Sequence, residues 1–116
     1  MVSTHELKKT NILDAAIGLA NEVRLELLKI IDENTTIFEE SIEAYNLNID
    51  EFTKFKLGIM NNNEKIMKVI DKIDNLQDSL TKHYHSDSYD TFYNRALLAM
   101  HSMEGEFMNE TGFSFS

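Results

Sequence analysis

The stretch from residue 52 to residue 83 reads FTKFKLGIMNNNEKIMKVIDKIDNLQDSLTKH, and its spacing decides the fold class. This spacing keeps one stripe of a helix turned toward a neighbouring helix over more than four heptads. It therefore predicts a long helix that packs lengthwise against others. We call the stripe the central seam; its residues alternate three and four apart and are Phe52, Phe55, Ile59, Asn62, Ile66, Val69, Ile73, Leu76, Leu80 and His83.

The three asparagines 61–63 interrupt the apolar character of this stretch and leave two interpretations open. In the first, the helix continues from about residue 49 to 84, and Asn62 in the seam fixes register and the number of packed helices. In the second, the helix breaks and Asn63 caps a new one from Glu64. Because the heptad phase is kept across the asparagines, we favour the continuous helix, roughly 50 Å long at ~1.5 Å per residue.

The N-terminal part of the chain predicts a helix up to about Asn34. Small residues around Gly18 predict close approach of a neighbouring helix there. At 34–36 the pattern breaks, and Thr36 with Glu39 predicts a capping box that opens a separate short helix. The seam of the first helix is Leu13, Ala16, Ala20, Val23, Leu27 and Ile30.

Toward the C-terminus, Ser86, Asp87 or Ser88 predicts the cap of a last helix that runs to about Met108. Its predicted seam is Tyr89, Tyr93, Ala96, Met100, Met103 and Phe107. The fold expected from these patterns is all-α: an elongated helical bundle or coiled coil of three to four helices, two of them long. Residues 1–108 form a single helical domain, and residues 109–116 form a C-terminal tail.

Composition agrees with this class and narrows the function. The chain has 116 residues, is 42% hydrophobic, and contains no proline and no cysteine. No signal peptide or membrane span is visible, so we expect a cytoplasmic protein. The formal charge of −9 argues against direct contact with nucleic acid. It suits solubility first, and otherwise a basic protein partner or imitation of nucleic-acid charge. Abundant Asn, Ile and Lys are typical of an AT-rich genome, and we expect the protein to act in a bacterial or phage system.

Two aromatic side chains lie near the C-terminal end, in the sequence Gly-Phe-Ser-Phe-Ser at 112–116. Phenylalanine is poorly solvated, so Phe113 and Phe115 are expected to dock on an apolar surface. We favour the chain's own core or oligomer over a separate partner.

One motif predicts chemistry: Arg95 and His101, separated by five residues on the last predicted helix. With the preceding Tyr93 and Asn94, it resembles the Arg-x(4–6)-His signature of HEPN-type ribonucleases, small all-α proteins that dimerise to bring two motifs together. The resemblance implies that His101 transfers protons at the ribose 2′-hydroxyl and that Arg95 stabilises the phosphate. The position after the arginine, polar in many family members, is Ala96 here.

Two further groups of residues carry weaker signals. His83, His85, His101, Glu104 and Glu106 are residue types that bind metals, but the pattern lacks ligand pairs repeated on two helices, so we predict no metal and no cofactor. The tetrapeptide at 5–8, His-Glu-Leu-Lys, resembles the phosphoacceptor box of histidine kinases, without its proline. A helix-capping role explains that segment better.

The sequence therefore predicts a non-catalytic protein–protein interaction module that acts through its helical seams. It would serve as an adaptor, an inhibitor or antitoxin-like binder, or an assembly component, as a homodimer or in a hetero-complex. Two alternatives stay open: the ribonuclease, and an acidic decoy that occupies a nucleic-acid-binding groove on a partner protein. The residues predicted to bind the partner are Phe52, Phe55, Ile59, Asn62, Ile66, Val69, Ile73, Leu76, Leu80, Phe113 and Phe115.

Overall fold

A computed structural model describes residues 4–45 and 48–111, and these residues form three helices. The helices are α1 (Thr4–Tyr45), α2 (Ile49–Ser86) and α3 (Tyr89–Thr111). They run up, down and up in a body that measures 66 × 21 × 17 Å. The prediction of an elongated all-α protein is confirmed. Predictions that concern the tail phenylalanines Phe113 and Phe115 fall outside the described residues.

The predicted break at residues 34–36 is wrong, because α1 runs through it without interruption. The hydroxyls of Thr35 and Thr36 donate to the carbonyls of Ile31 and Asp32, at 3.0 and 3.1 Å, so both threonines satisfy their polar groups inside the helix. The separate short helix is therefore the C-terminal end of α1, residues 36–45. Tertiary packing of its apolar residues outweighs the weak helix propensity of the Asn-Thr-Thr stretch.

The helix α2 is continuous across the three asparagines, as the favoured interpretation predicted. Asn48 caps it by accepting a hydrogen bond from the backbone N–H of Glu51 at 2.9 Å. The placement of Asn62 in the seam is wrong, because its side chain is exposed to solvent. Its neighbour Asn63 turns inward and accepts a hydrogen bond from the Asn34 side chain at 3.0 Å.

The start of α3 fits one of the caps offered by the sequence, since Ser88 Oγ accepts from the backbone N–H of Thr91 at 3.4 Å. Its predicted seam is wrong at the N-terminal end. Tyr93 is 38% exposed, whereas Phe92 beside it is fully buried. The helix ends at Thr111, three residues past the predicted domain boundary at 108. The buried residues of α3 are Phe92, Ala96, Ala99, Met103 and Phe107.

Two buried clusters form a core in which all three helices meet. One cluster joins Phe92, Ala96 and Ala99 of α3 to Ala16 and Leu80. The other lies farther along the bundle and contains Ala20, Val23, Leu27, Ile66, Val69, Ile70, Ile73, Met103 and Phe107. The predicted seam of α1 is confirmed, because its four central members, Ala16, Ala20, Val23 and Leu27, are fully buried.

Beyond these clusters the molecule continues as two helices without a third. Among the described residues between Leu27 and Ile66, none is fully buried. We call this two-helix extension, residues 31–45 of α1 and 48–63 leading into α2, the arm. At ~1.5 Å per residue each of its helices is about 22 Å long. The remainder of the molecule is the three-helix bundle.

Polar contacts fix the register of α1 against α2 in the bundle. Arg24 donates to Asp74 Oδ1 from Nε at 2.9 Å and from Nη2 at 2.6 Å, and it also donates to Gln77 Oε1 at 3.0 Å. At the far end, the hydroxyls of Thr10 and Tyr84 lie 2.6 Å apart. These contacts are partly buried, so they hold the antiparallel helices at one longitudinal offset.

The explanation that Gly18 allows close helix packing is wrong. The glycine is exposed, and a Cβ atom added to it would meet nothing within 4 Å. Close approach depends instead on Ala16 and Ala20, which are fully buried. Gly18 therefore costs helix stability without a packing reason in this structure.

Candidate protein-binding surface on the arm

The arm begins where α3 ends. Near its C-terminus, α3 contacts the start of the bundle portion of α2: Phe107 shares a buried cluster with Ile66, and Glu106 lies 3.4 Å from Lys72. Because α3 stops at Thr111, the faces of α1 and α2 that it covers in the bundle continue uncovered along the arm. An apolar helix face normally needs a second surface to cover it.

Three phenylalanines hold the two arm helices together. The ring centroids of Phe38 and Phe52 are 5.6 Å apart, and those of Phe38 and Phe55 are also 5.6 Å apart. Such contacts stabilise a helix pair beyond simple burial. All three side chains are only partly buried, however, so a considerable part of their apolar surface stays in contact with solvent.

The face of α2 that meets α3 can be followed into the arm by steps of seven residues, which return to one side of a packed helix. In the bundle this row contains Ser79, which lines a depression together with α3, and Lys72, which contacts Glu106. Earlier in α2 the same row contains Lys65 and Gly58. Gly58 is exposed, and a Cβ atom there would meet nothing within 4 Å.

The matching face of α1 is identified in the same way. Arg24 binds Asp74, so the side of α1 that carries Arg24 faces α2. The other side of the α1 seam then faces α3. The row on that flank begins with the partly buried Ile12 and Leu19, which pack on the core. Seven-residue steps beyond Leu19 then give Glu26, Glu33 and Glu40. The row therefore becomes acidic at Glu26, near the end of the bundle, and stays acidic along the arm.

The seven-residue spacing places an apolar trough between the two rows. Ile37 is one helical turn from both Glu33 and Glu40 and is 52% exposed, which is unusual for a large apolar side chain facing the seam. We call this trough the arm groove: its floor is Ile37, Phe55, Gly58 and Ile59, and its α1 rim is Glu33 and Glu40.

The arm also concentrates negative charge. Residues 31–63 contain seven Asp and Glu side chains against two lysines, a formal charge of −5 out of the −9 of the whole chain. The α1 half has five of these acids and no basic residue. Exposed charge of one sign beside an apolar groove raises the local concentration of oppositely charged ligands.

The predicted partner-binding residues fall into two groups in the structure. Ile66, Val69, Ile73 and Leu80 are buried inside the chain against α1 and α3, and Leu76 is partly buried there. Phe52, Phe55 and Ile59 lie in the arm and are partly exposed, and Asn62 is fully exposed at its base. The half of the central seam nearer His83 is thus largely buried within the chain, whereas the half in the arm has no fully buried member and leaves apolar surface exposed.

Sequence reasoning missed the α1 side of this surface. The sequence pattern places Glu33 at the end of the first helix and Ile37 and Glu40 in a separate short helix, so the three residues are not assigned to one surface. The signal was present: Asn34, Ile37 and Ser41 extend the three–four spacing of α1 beyond Ile30. Taken together with the end of α3 near Thr111, this spacing would have predicted two long helices that the last helix covers over only about two-thirds of their length.

The two residues of the ribonuclease hypothesis lie on different sides of α3. Six residues along a helix separate Arg95 and His101 by about 9 Å and about 120°. Arg95 lines a depression toward α2 and places Nε 2.8 Å from Asp87 Oδ2, whereas His101 lines another depression with Leu97, Met100 and Glu104. Within one chain the two side chains do not meet at a common site, and catalysis stays a prediction.

The other histidines occupy the end of α2. His83 Nδ1 lies 3.5 Å from Asp87 Oδ1, and His85 contacts the Tyr84 ring edge-on at a centroid distance of 5.2 Å. Throughout residues 4–45 and 48–111, no three histidine, aspartate or glutamate side chains come together as a metal site. Nor does any helix in these ranges have the length and apolar character needed to cross a membrane.

Comparison with known proteins adds no relative: no family model, no curated protein and no solved structure matches this chain.

Proposed function

We propose that this protein is a non-catalytic protein-binding module and that the arm carries its binding surface. The proposal rests on one observation: α1 and α2 keep their apolar seam for about 22 Å beyond the end of α3, where nothing in the chain's described part covers it. The bundle then serves as the rigid base that positions the arm. Adaptor, inhibitor and assembly roles all use such a surface. We expect the protein to act in the cytoplasm.

Exposed apolar residues support this placement. Ile37, Leu57 and Met60 are each more than half exposed, and all three belong to the arm. Large apolar side chains exposed to solvent supply contact area for an interaction site. Methionine at such a site adapts its shape to different partner side chains.

Site-specific photo-crosslinking in cells tests the proposal. A photoreactive amino acid at Ile37 or Ile59 should give a discrete adduct with another polypeptide, identified by mass spectrometry. The matched control places it at Leu98, which is 68% exposed but lies on α3 of the bundle. Adducts only at the control position, or at none of the three, would contradict a binding role for the arm.

Light scattering over a dilution series then separates self-association from binding to a different protein. A dimer that persists on dilution and is lost with Ile37→Asp would identify the partner as a second copy of this chain. A monomer would assign the crosslinked adduct to a different protein. In either case the arm is the binding surface, and the two results differ only in the identity of the partner.

The acidic decoy is a second candidate, favoured by the charge of −5 on residues 31–63. It predicts binding to a basic, nucleic-acid-binding surface that weakens steeply with salt and does not depend on Ile37. An apolar docking surface predicts the reverse pattern, with strong dependence on Ile37 and a weaker effect of salt. Binding of Ile37→Asp at low and high salt therefore distinguishes the two.

A further inference from the structure

We propose that the partner bound in the arm groove is a single amphipathic helix with basic residues along one flank. This inference rests on the proposed function and specifies the chemistry of the partner. The helix lies along the arm as α3 lies along the bundle, with its apolar stripe on Ile37, Phe55 and Ile59 and its basic flank against Glu33 and Glu40.

The geometry of the chain itself provides the template for a helical partner. In the bundle, α1 and α2 bury their α3-facing rows against one helix, through residues such as Leu19 and Val69. The arm repeats those rows at the same seven-residue spacing. Since α1 and α2 keep the same heptad phase in the arm as in the bundle, the arm groove has the width of one packed helix. Gly58 in the groove floor allows its backbone to come close.

Charge determines which helix fits. Glu33 and Glu40 are exposed on the α1 rim, two turns apart, and lie opposite the flank of any helix seated in the groove. On the α2 side, Lys65 stands at the base of the arm and Glu51 near its tip. A partner helix matches these charges if it has lysine or arginine along the flank that faces α1 and no basic residue opposite Lys65.

Two other occupants match it less well. A second copy of this chain would place a formal charge of −5 against another −5, which opposes association at the salt concentrations of a cell. The segment 112–116 offers Phe113 and Phe115 but has no basic side chain. Neither of these would make use of the glutamates on the rim.

A binding experiment with two designed peptides tests the proposal. Both are capped helices of about 15 residues, matched to the ~22 Å arm at ~1.5 Å per residue, with leucine at the a and d positions. One carries lysine and arginine at the flanking e and g positions, and the other carries glutamate there. Fluorescence anisotropy of the labelled peptides is measured against the full chain at low and high salt.

The basic peptide should bind at least ~10-fold more tightly than the acidic one at low salt, with a smaller difference at high salt. The double variant Glu33→Gln/Glu40→Gln should weaken binding of the basic peptide about 3- to 10-fold. Its matched control, Asp32→Asn/Glu39→Gln, removes the same charge from exposed positions on the outward face of the same helix and should change affinity less than 2-fold. Ile37→Asp should abolish binding.

Three results would overturn the proposal. The first is failure of the basic peptide to bind, or an equal loss of its affinity in Glu33→Gln/Glu40→Gln and in Asp32→Asn/Glu39→Gln. The second is binding that appears only in Phe113→Ser/Phe115→Ser, which would assign the groove to the tail. The third is a dimer that Ile37→Asp dissociates, which would assign it to a second copy. Crosslinking at Ile37 that still captures a protein partner would leave the proposed function intact while this inference fails.

Discussion

The contact between Asn34 and Asn63 provides a test of helix register, because the sequence pattern and the structure give different answers. The heptad phase of α2 puts Asn62 in the seam, whereas in the structure Asn63 accepts the hydrogen bond from Asn34 at 3.0 Å and Asn62 is exposed. We expect Asn34→Ala and Asn63→Ala to be energetically coupled and Asn34→Ala and Asn62→Ala to be independent.

The expected size of the coupling follows from two opposing effects. A neutral side-chain hydrogen bond contributes about 0.5–1.5 kcal/mol net, and this partly buried one belongs in the lower half of that range. Each Asn→Ala change also gains up to about 0.7 kcal/mol of helix propensity. The two effects nearly cancel in a single variant, so single variants are uninformative. In a double-mutant cycle the propensity terms subtract out, leaving a coupling of about 0.5–1 kcal/mol.

The measurement is urea unfolding followed by the helical circular dichroism signal, for the parent chain, each single variant and each double variant. The cycle with Asn62 serves as the control, because Asn62 and Asn63 are adjacent and chemically identical. A coupling of Asn34 to Asn62 that equals or exceeds its coupling to Asn63 would refute the register described here. It would also support the seam that the sequence alone predicted.

Three further predictions concern the bundle and the arm. Phe92→Ala should lower the free energy of unfolding by about 3–5 kcal/mol, because the ring is fully buried, whereas Leu98→Ala on the same helix should change it by less than ~0.5 kcal/mol. Similar losses in both variants on urea unfolding would mean that α3 does not pack as described. Gly18→Ala should raise the free energy of unfolding by about 1 kcal/mol, since a Cβ there meets nothing within 4 Å. A loss in the same assay would reveal a packing role for the glycine. Amide hydrogen exchange should be faster at residues 31–45 than at residues 66–80, because no side chain of the arm whose burial the structure describes is fully buried and the arm can open without the bundle. Uniform protection along α1 would show that the arm and bundle unfold together.

Much of the fold could be predicted because long helices repeat one simple signal. The three–four spacing identified α2 across the asparagines and the seam of α1 from Ala16 to Leu27. The cap of α3 was also predictable, since Ser88 Oγ accepts from the backbone N–H of Thr91 in the expected way. Local patterns of this kind are sufficient where local preference and tertiary packing agree.

The errors occurred where packing outweighs local preference. The Asn-Thr-Thr stretch at 34–36 favours a break by composition, yet the contacts of Phe38 with Phe52 and Phe55 keep α1 helical through it. In α3, Phe92 and Tyr93 are adjacent aromatics, and the phase of a short helix does not decide which of them faces inward. The structure buries Phe92 against Tyr84, with ring centroids 5.7 Å apart.

The binding surface could be predicted only in part, for a related reason. A seam indicates that a helix has a neighbour, but it does not indicate whether that neighbour belongs to the same chain. Here α3 covers the seam from Ile66 to Leu80 and leaves Phe52 to Ile59 partly exposed. That division depends on where α3 ends relative to α1 and α2, which is a property of three-dimensional packing.

The two-helix construction of the arm has a consequence for how such a protein changes over evolutionary time. Because α1 and α2 run antiparallel and each keeps a seven-residue repeat, deletion of one heptad from each shortens the arm by about 10 Å and leaves every remaining residue on its original face. A deletion in only one helix leaves residues at the tip without an opposite neighbour. Paired insertions and deletions at 31–45 and 48–63 can therefore change the reach of the molecule in steps, while the three-helix base stays the same.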